Sequence, residues 1–86
     1  MNTPLFVGID VSQSQLDVAV RPGARFSASN DETGRAAVVA QLRRLAPVLI
    51  VLEATGGLEV PLTGALAAAG LPVVVVNPRQ VRDFAR

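Results

Sequence analysis

The sequence predicts an α/β fold in which a mixed β-sheet packs against helices. Three short apolar runs have the length and composition of buried strands: residues 5–11, 48–52 and 73–76. The two segments that lead into the second and third runs place apolar residues at helical spacing. Strands that alternate with helices in this way are typical of parallel crossover units.

The first 30 residues predict three antiparallel strands. Residues 5–11 form a continuous apolar run interrupted only by Asp10, the pattern of a central strand covered on both faces. Residues 12–15 are a polar turn, and residues 16–21 then alternate, so that Asp17, Ala19 and Arg21 share one side. Pro22 and Gly23 end the second strand in a turn, and residues 25–28 predict a short edge strand.

The rest of the chain predicts two helix–strand units and a last helix. A helix from about Gly34 follows N-cap residues at 30–33 and ends at Pro47. A second helix carries Leu58, Leu62, Leu66 and Ala69 on one side, and a third begins at Asn77. The predicted order is β-β-β-α-β-α-β-α: three antiparallel and then two parallel strands in a mixed five-stranded sheet, with helices on both faces.

Composition excludes several classes of protein. The 86 residues suffice for one domain or part of one, and they include no cysteine and no histidine. Disulfides, zinc sites built from thiolate or imidazole, and histidine-based triads are therefore excluded. The chain shows no signal peptide and no apolar run near the ~20 residues of a membrane span. We expect a cytoplasmic protein with no membrane partner.

Two carboxylates follow two of the apolar strands at equivalent places. Asp10 ends the first strand and Glu53 ends the fourth. If these strands are parallel neighbours, their carboxyl ends lie about 4.8 Å apart, at the edge where open α/β sheets bind ligands. Carboxylates this close favour a hard divalent cation such as Mg²⁺ between them. Asp10 could instead be a strand-end turn former, and Glu53 a helix-entry residue near the Thr55 loop, but the pair indicates a metal site.

Other polar residues give weaker indications. Thr55, Gly56 and Gly57 could present backbone amides to a phosphate, or could simply form a tight turn. Asp17 is expected to pair with Arg21 or water, and Glu59 to lie on the surface and offset a helix dipole.

A cluster of basic residues occurs near the end of the chain. All eight basic residues are arginine, and Arg79, Arg82 and Arg86 share one side of the last predicted helix. They could contact phosphates or form a solvated surface balanced by Asp83. The net charge of +1 gives no overall nucleic-acid signal.

Three motifs in this order and spacing resemble a known family. They are VGIDVSQSQLDVAV, VLEATGG and VVVVNPRQVRDFAR, and together they cover nearly the whole chain. They resemble the N-terminal catalytic domain of DEDD-type insertion-sequence transposases of the IS-one-ten group. That resemblance implies a RuvC-like, ribonuclease H-like fold, with residues 1–86 forming part of the domain.

The resemblance also implies a chemistry and its residues. Family members cleave and transfer DNA strands with two Mg²⁺ ions held by four acids. Asp10 matches the first acid and Glu53 the second, whereas the other two belong to a segment that follows the last matched helix. We therefore expect this chain alone to bind Mg²⁺ weakly or not at all and to lack nuclease activity. The family resemblance further implies a bacterial or archaeal, nucleoid-associated protein and a structured guide RNA as a partner of the full-length form.

Two alternatives remain open at this point. Actin-like or sugar-kinase-like ATPase modules also begin with a strand–turn–strand that carries GID, and they share this topology, so the fold alone does not separate them. A non-catalytic, self-associating fragment is the second alternative, because half of the residues are hydrophobic. We expect a homodimer or a higher oligomer.

Overall fold

The computed structural model describes residues 3–77, which form one five-stranded sheet and two helices. The helix predicted from Asn77 lies outside the described residues. Neither helix within residues 3–77 is long and apolar enough to cross a membrane. In chain order the elements are β1 (Phe6–Val11), β2 (Gln15–Arg21), β3 (Arg25–Ser29), α1 (Glu32–Leu45), β4 (Leu49–Glu53), α2 (Val60–Ala68) and β5 (Val73–Val76).

The sheet has the strand order β3-β2-β1-β4-β5. β1 pairs with β2, and β2 with β3, in antiparallel fashion, whereas β1–β4 and β4–β5 are parallel. This is the mixed sheet that the sequence predicts. It places β1 beside β4, and therefore brings together the two strands that end in acidic residues.

Helix α1 begins and ends through local interactions. The Asp31 carboxylate accepts a hydrogen bond from the Gly34 N–H at 2.8 Å and another from the Ser29 hydroxyl at 2.9 Å. The Gly34 N–H and the Ser29 hydroxyl, in that order, hold the pKa of Asp31 below its usual value. At the other end Ala46 adopts a left-handed conformation with φ 50°, and Pro47 follows. The predicted capping region and stop are confirmed.

Both described helices pack against the same face of the sheet. Val38 and Leu42 of α1 and Leu62 and Leu66 of α2 are fully buried. They join a single core with the inward residues of the strands: Val7, Ile9, Val11, Leu16, Val18, Val20, Ile50 and Leu52.

The expectation that β1 is covered on both faces is wrong for the described part of the chain. Val7, Ile9 and Val11 are buried, whereas Phe6, Gly8 and Asp10 between them are exposed. The run appeared uninterrupted because Gly8 has no side chain to reveal which face it lies on. Within residues 3–77 the helices cover one face only, and the third predicted helix lies outside this range.

Candidate active site on the open sheet face

The face of the sheet opposite α1 and α2, called the open face below, carries the candidate site. The twist of the strands forms a broad depression of about 600 Å³ on this face. Three carboxylates and two guanidinium groups line the depression: Asp10, Asp17, Glu53, Arg21 and Arg25.

Asp10 and Glu53 are neighbours across the parallel pair β1–β4. Ile9 is the partner of Leu52 in this ladder, so the next residue of each strand is an acid. Both acids are exposed on the open face, at the carboxyl ends of strands about 4.8 Å apart. Neither carboxylate has a hydrogen-bond or ion-pair partner among residues 3–77. The structure therefore brings together the two acids that the sequence singled out.

Asp17 lies in register with Asp10 on the other side of β1. Its carboxylate accepts hydrogen bonds from Gln15 Nε2 at 2.7 Å and from the Ser27 hydroxyl at 2.8 Å. These two bonds, with that from Gln15 the stronger influence, hold the pKa of Asp17 below its usual value. The expected pairing with Arg21 is absent, because Arg21 lies four residues farther along β2, at about 13 Å.

The three acids form a row across β2, β1 and β4, but the row is not a complete metal site. Among the described residues, no group of three His, Cys, Asp or Glu side chains is placed to hold an ion. Asp17 is turned toward Ser27 on β3, away from Asp10. Asp10 and Glu53 thus remain as a pair of free carboxylates.

Glu59 has a different role from the one expected of it. It is only 9% exposed, and its Oε1 accepts hydrogen bonds from the Thr55 N–H at 2.9 Å and the Gly57 N–H at 3.1 Å. The Thr55 hydroxyl donates a third bond at 3.2 Å. These donors, the Thr55 N–H foremost, lower the pKa of Glu59. The prediction of a surface residue is wrong, because the side chain folds back to satisfy the loop before α2.

This loop was also a candidate for phosphate contact, through Thr55 and Gly56. Gly56 and Gly57 have φ values of 67° and 100°, a left-handed conformation that glycine adopts without strain. Two of the loop's amides already donate to the Glu59 carboxylate, so this carboxylate lies where a bound phosphate would accept those hydrogen bonds. Nucleic-acid contact at Thr55 and Gly56 stays a prediction.

A family model described as a transposase, that of the DEDD-type IS110 (IS-one-ten) group, matches residues 7–86. The chain belongs to this transposase family. No curated protein matches the sequence. Among solved structures, T. thermophilus RuvC in complex with a Holliday junction substrate has a similar fold, with a TM-score of 0.65 and 19% sequence identity. The likeness covers 94% of this chain and 69% of the RuvC chain.

Family membership separates the alternatives that the topology left open. The RuvC likeness confirms a ribonuclease H-like fold, which transposases and actin-like ATPases share. The family match favours the transposase. Within the described residues, Asp10 and Glu53 are acids that adjacent parallel strands place side by side.

The sequence patterns indicated Arg21 only as a partner of Asp17, gave no indication of Arg25, and emphasised three other arginines. Arg79, Arg82 and Arg86 lie outside the described residues. Arg21 and Arg25 stand on the open face, on β2 and β3. Alternation along β3 could have identified Arg25, because it shares a side with Ser27, whereas Phe26 between them packs against the core.

Proposed function

We propose that Asp10 and Glu53 are the first two of the four acidic metal ligands of a transposase that cleaves and transfers DNA strands. One observation carries the proposal: the two carboxylates are in-register neighbours at the ends of parallel strands, with no other partner in the described residues. Membership of a DEDD-type transposase family supports it.

The donors present suit a hard divalent cation. Two carboxylates on adjacent strands can each supply an oxygen, and Mg²⁺ keeps several waters when protein ligands are few. Half of a four-acid set gives low affinity, so residues 3–77 supply part of a centre. The proposal therefore includes two further aspartates outside the described residues, and an isolated chain without nuclease activity.

Each part of the site has a distinct task in this scheme. Asp10 and Glu53 would fix the metal position relative to the sheet, because both lie near the carboxyl ends of strands whose inward residues are buried. A bound divalent ion supplies Lewis-acid stabilisation of a phosphodiester and an activated water. Asp17, held by Gln15 and Ser27, adds negative charge beside Asp10.

The partner that we propose for this site is DNA. The solved RuvC structure is a complex with a Holliday junction substrate, which supports DNA as the ligand of this fold. A guide RNA, a homodimeric assembly, Mg²⁺ as the specific ion and a cytoplasmic, nucleoid-associated location are further parts of the proposal, and they concern the full-length protein.

Binding of Mn²⁺, followed by electron paramagnetic resonance, tests the metal site. We expect weak binding by the wild-type chain and none by the variants Asp10→Asn and Glu53→Gln. The matched control is Glu32→Gln, since Glu32 is an exposed acid in the first turn of α1. Wild-type Mn²⁺ affinity in both site variants would refute the proposal. In the full-length transposase, Asp10→Asn should abolish DNA cleavage while its thermal unfolding is unchanged.

A further inference from the structure

We propose that Arg21 and Arg25 bind backbone phosphates of the DNA strand that reaches the acidic pair across the open face. The inference rests on the proposed function, since it assigns a path for the substrate of that site. It adds a phosphate-binding surface made of two residues outside the acidic row.

Both arginines are exposed and free to bind an anion. Each lines the depression that also contains Asp10 and Glu53. Within residues 3–77 neither guanidinium has an ion-pair or hydrogen-bond partner. Asp17, the nearest acid on β2, is bonded to Gln15 and Ser27 instead. Two unpaired cations therefore face the same depression as two unpaired anions.

The strand register sets the distances. Arg25 is opposite Ala19, which lies two residues from Asp17 along β2 and so about 7 Å from the acidic row. Arg21 is opposite Phe6, four residues from Asp10 along β1 and so about 13 Å from the row. The distance from the acidic row to Arg25, and the further distance from Arg25 to Arg21, are each similar to the spacing between consecutive phosphates on a nucleic-acid strand.

The sheet surface between the acids and the arginines allows a nucleic-acid backbone to approach. Gly8 and Ala19 are paired at its centre, and a Cβ added to Gly8 would meet no atom within 4 Å. A phosphodiester backbone can therefore approach the sheet closely at Gly8. Arginine is suited to hold it, because the planar guanidinium binds phosphate oxygens in pairs.

The comparisons favour a nucleic-acid strand over an acidic peptide as the occupant, because the chain belongs to a transposase family and the RuvC structure of similar fold is a complex with a Holliday junction substrate. A nucleic-acid strand carries a phosphate at each nucleotide, so it can reach the acidic pair and the two arginines at once. Arg25 and Arg21 would then hold the next two phosphates along the strand from the one at the metal site. Their loss should weaken DNA binding and leave metal binding intact.

Fluorescence anisotropy with a labelled single-stranded DNA tests this assignment. The variant Arg21→Gln/Arg25→Gln is compared with Arg43→Gln/Arg44→Gln, which removes the same charge from the last turn of α1. We expect about a tenfold loss of affinity for the first variant and little change for the second. The slope of log affinity against log salt should become shallower by about 1.4, the value for two phosphate contacts on a single strand.

Several outcomes would overturn the inference. They are equal losses in the two double variants, no DNA binding by the wild-type chain at low salt, and tighter arginine-dependent binding of an RNA of the same sequence. A measurement of Mn²⁺ binding by Arg21→Gln/Arg25→Gln distinguishes failure of the phosphate contacts from failure of the proposed metal site. Arginine-dependent DNA binding, together with Mn²⁺ binding that Asp10→Asn and Glu53→Gln do not weaken, would refute the metal site and retain the phosphate contacts.

Discussion

Replacement of Gly34 by alanine should destabilise the fold, although the same change stabilises most helices. Gly34 is buried in the first turn of α1, next to the end of β3. A methyl group built on it overlaps the Ser29 carbonyl oxygen and lies 2.7 Å from both the carbonyl carbon and the Ser29 hydroxyl oxygen. The obstacle is mainly backbone, so a side-chain rotation cannot remove it.

The size of the effect follows from the displacement that the methyl requires. Ordinary contact begins at 3.4 Å, so the Ser29 carbonyl carbon and the hydroxyl that bonds to Asp31 must each move by about 0.7 Å, and the overlapping carbonyl oxygen must move farther. Overpacking of this kind costs about 3 kcal/mol. The gain in helix propensity returns about 1 kcal/mol. The net loss of about 2 kcal/mol corresponds to a decrease in Tm of about 8–16 °C for a domain of this size.

Gly64 provides the matched control, because it is an exposed glycine inside α2 with no atom within 4 Å of an added Cβ. Gly64→Ala should therefore raise stability by about 0.5–1 kcal/mol. Thermal and urea unfolding followed by circular dichroism measure both changes. Equal or greater stability of Gly34→Ala relative to the wild type would refute the close approach of α1 to β3.

Three further predictions concern the carboxylates and the apolar surface. The free energy of unfolding should fall as pH decreases below about 4. Asp17, Asp31 and Glu59 have lowered pKa values in the fold, and their contribution to stability is lost when they protonate. Urea unfolding that is independent of pH from 7 to about 3 would contradict this. Glu59→Gln should lower Tm and speed proteolysis of the loop at 55–58, whereas Glu32→Gln should lower Tm only slightly and leave this proteolysis unchanged. We expect a dimer in solution, since Phe6 is 48% exposed and β5 is an apolar edge strand in the described sheet. Light scattering should therefore give twice the 8.9-kDa mass of the chain, and a monomeric mass at high concentration would count against the dimer.

The sequence predicted most of the sheet because its signals were local. Alternation in β2, the short turns and the apolar runs are sufficient to place every described strand, and equivalent positions at two strand ends paired Asp10 with Glu53. The role of Glu59 could not be predicted in this way. Its bonds to Thr55 and Gly57 depend on a left-handed loop whose path is set by packing of α2, and a glutamate before a helix has the same local pattern when it is solvated.

The carboxylates differ in whether the fold gives them hydrogen-bond donors, and this difference bears on function. Three acids have local donors that hold them in place: Asp17, Asp31 and Glu59. Glu32 has no such donor, but it lies in the first turn of a helix, where the macrodipole favours a negative charge. Asp10 and Glu53 have neither donors nor a helix end among residues 3–77, and they lie side by side on a sheet. Two adjacent, unpaired anions repel each other and add nothing to stability. Their placement supports the cation site that we propose for this pair.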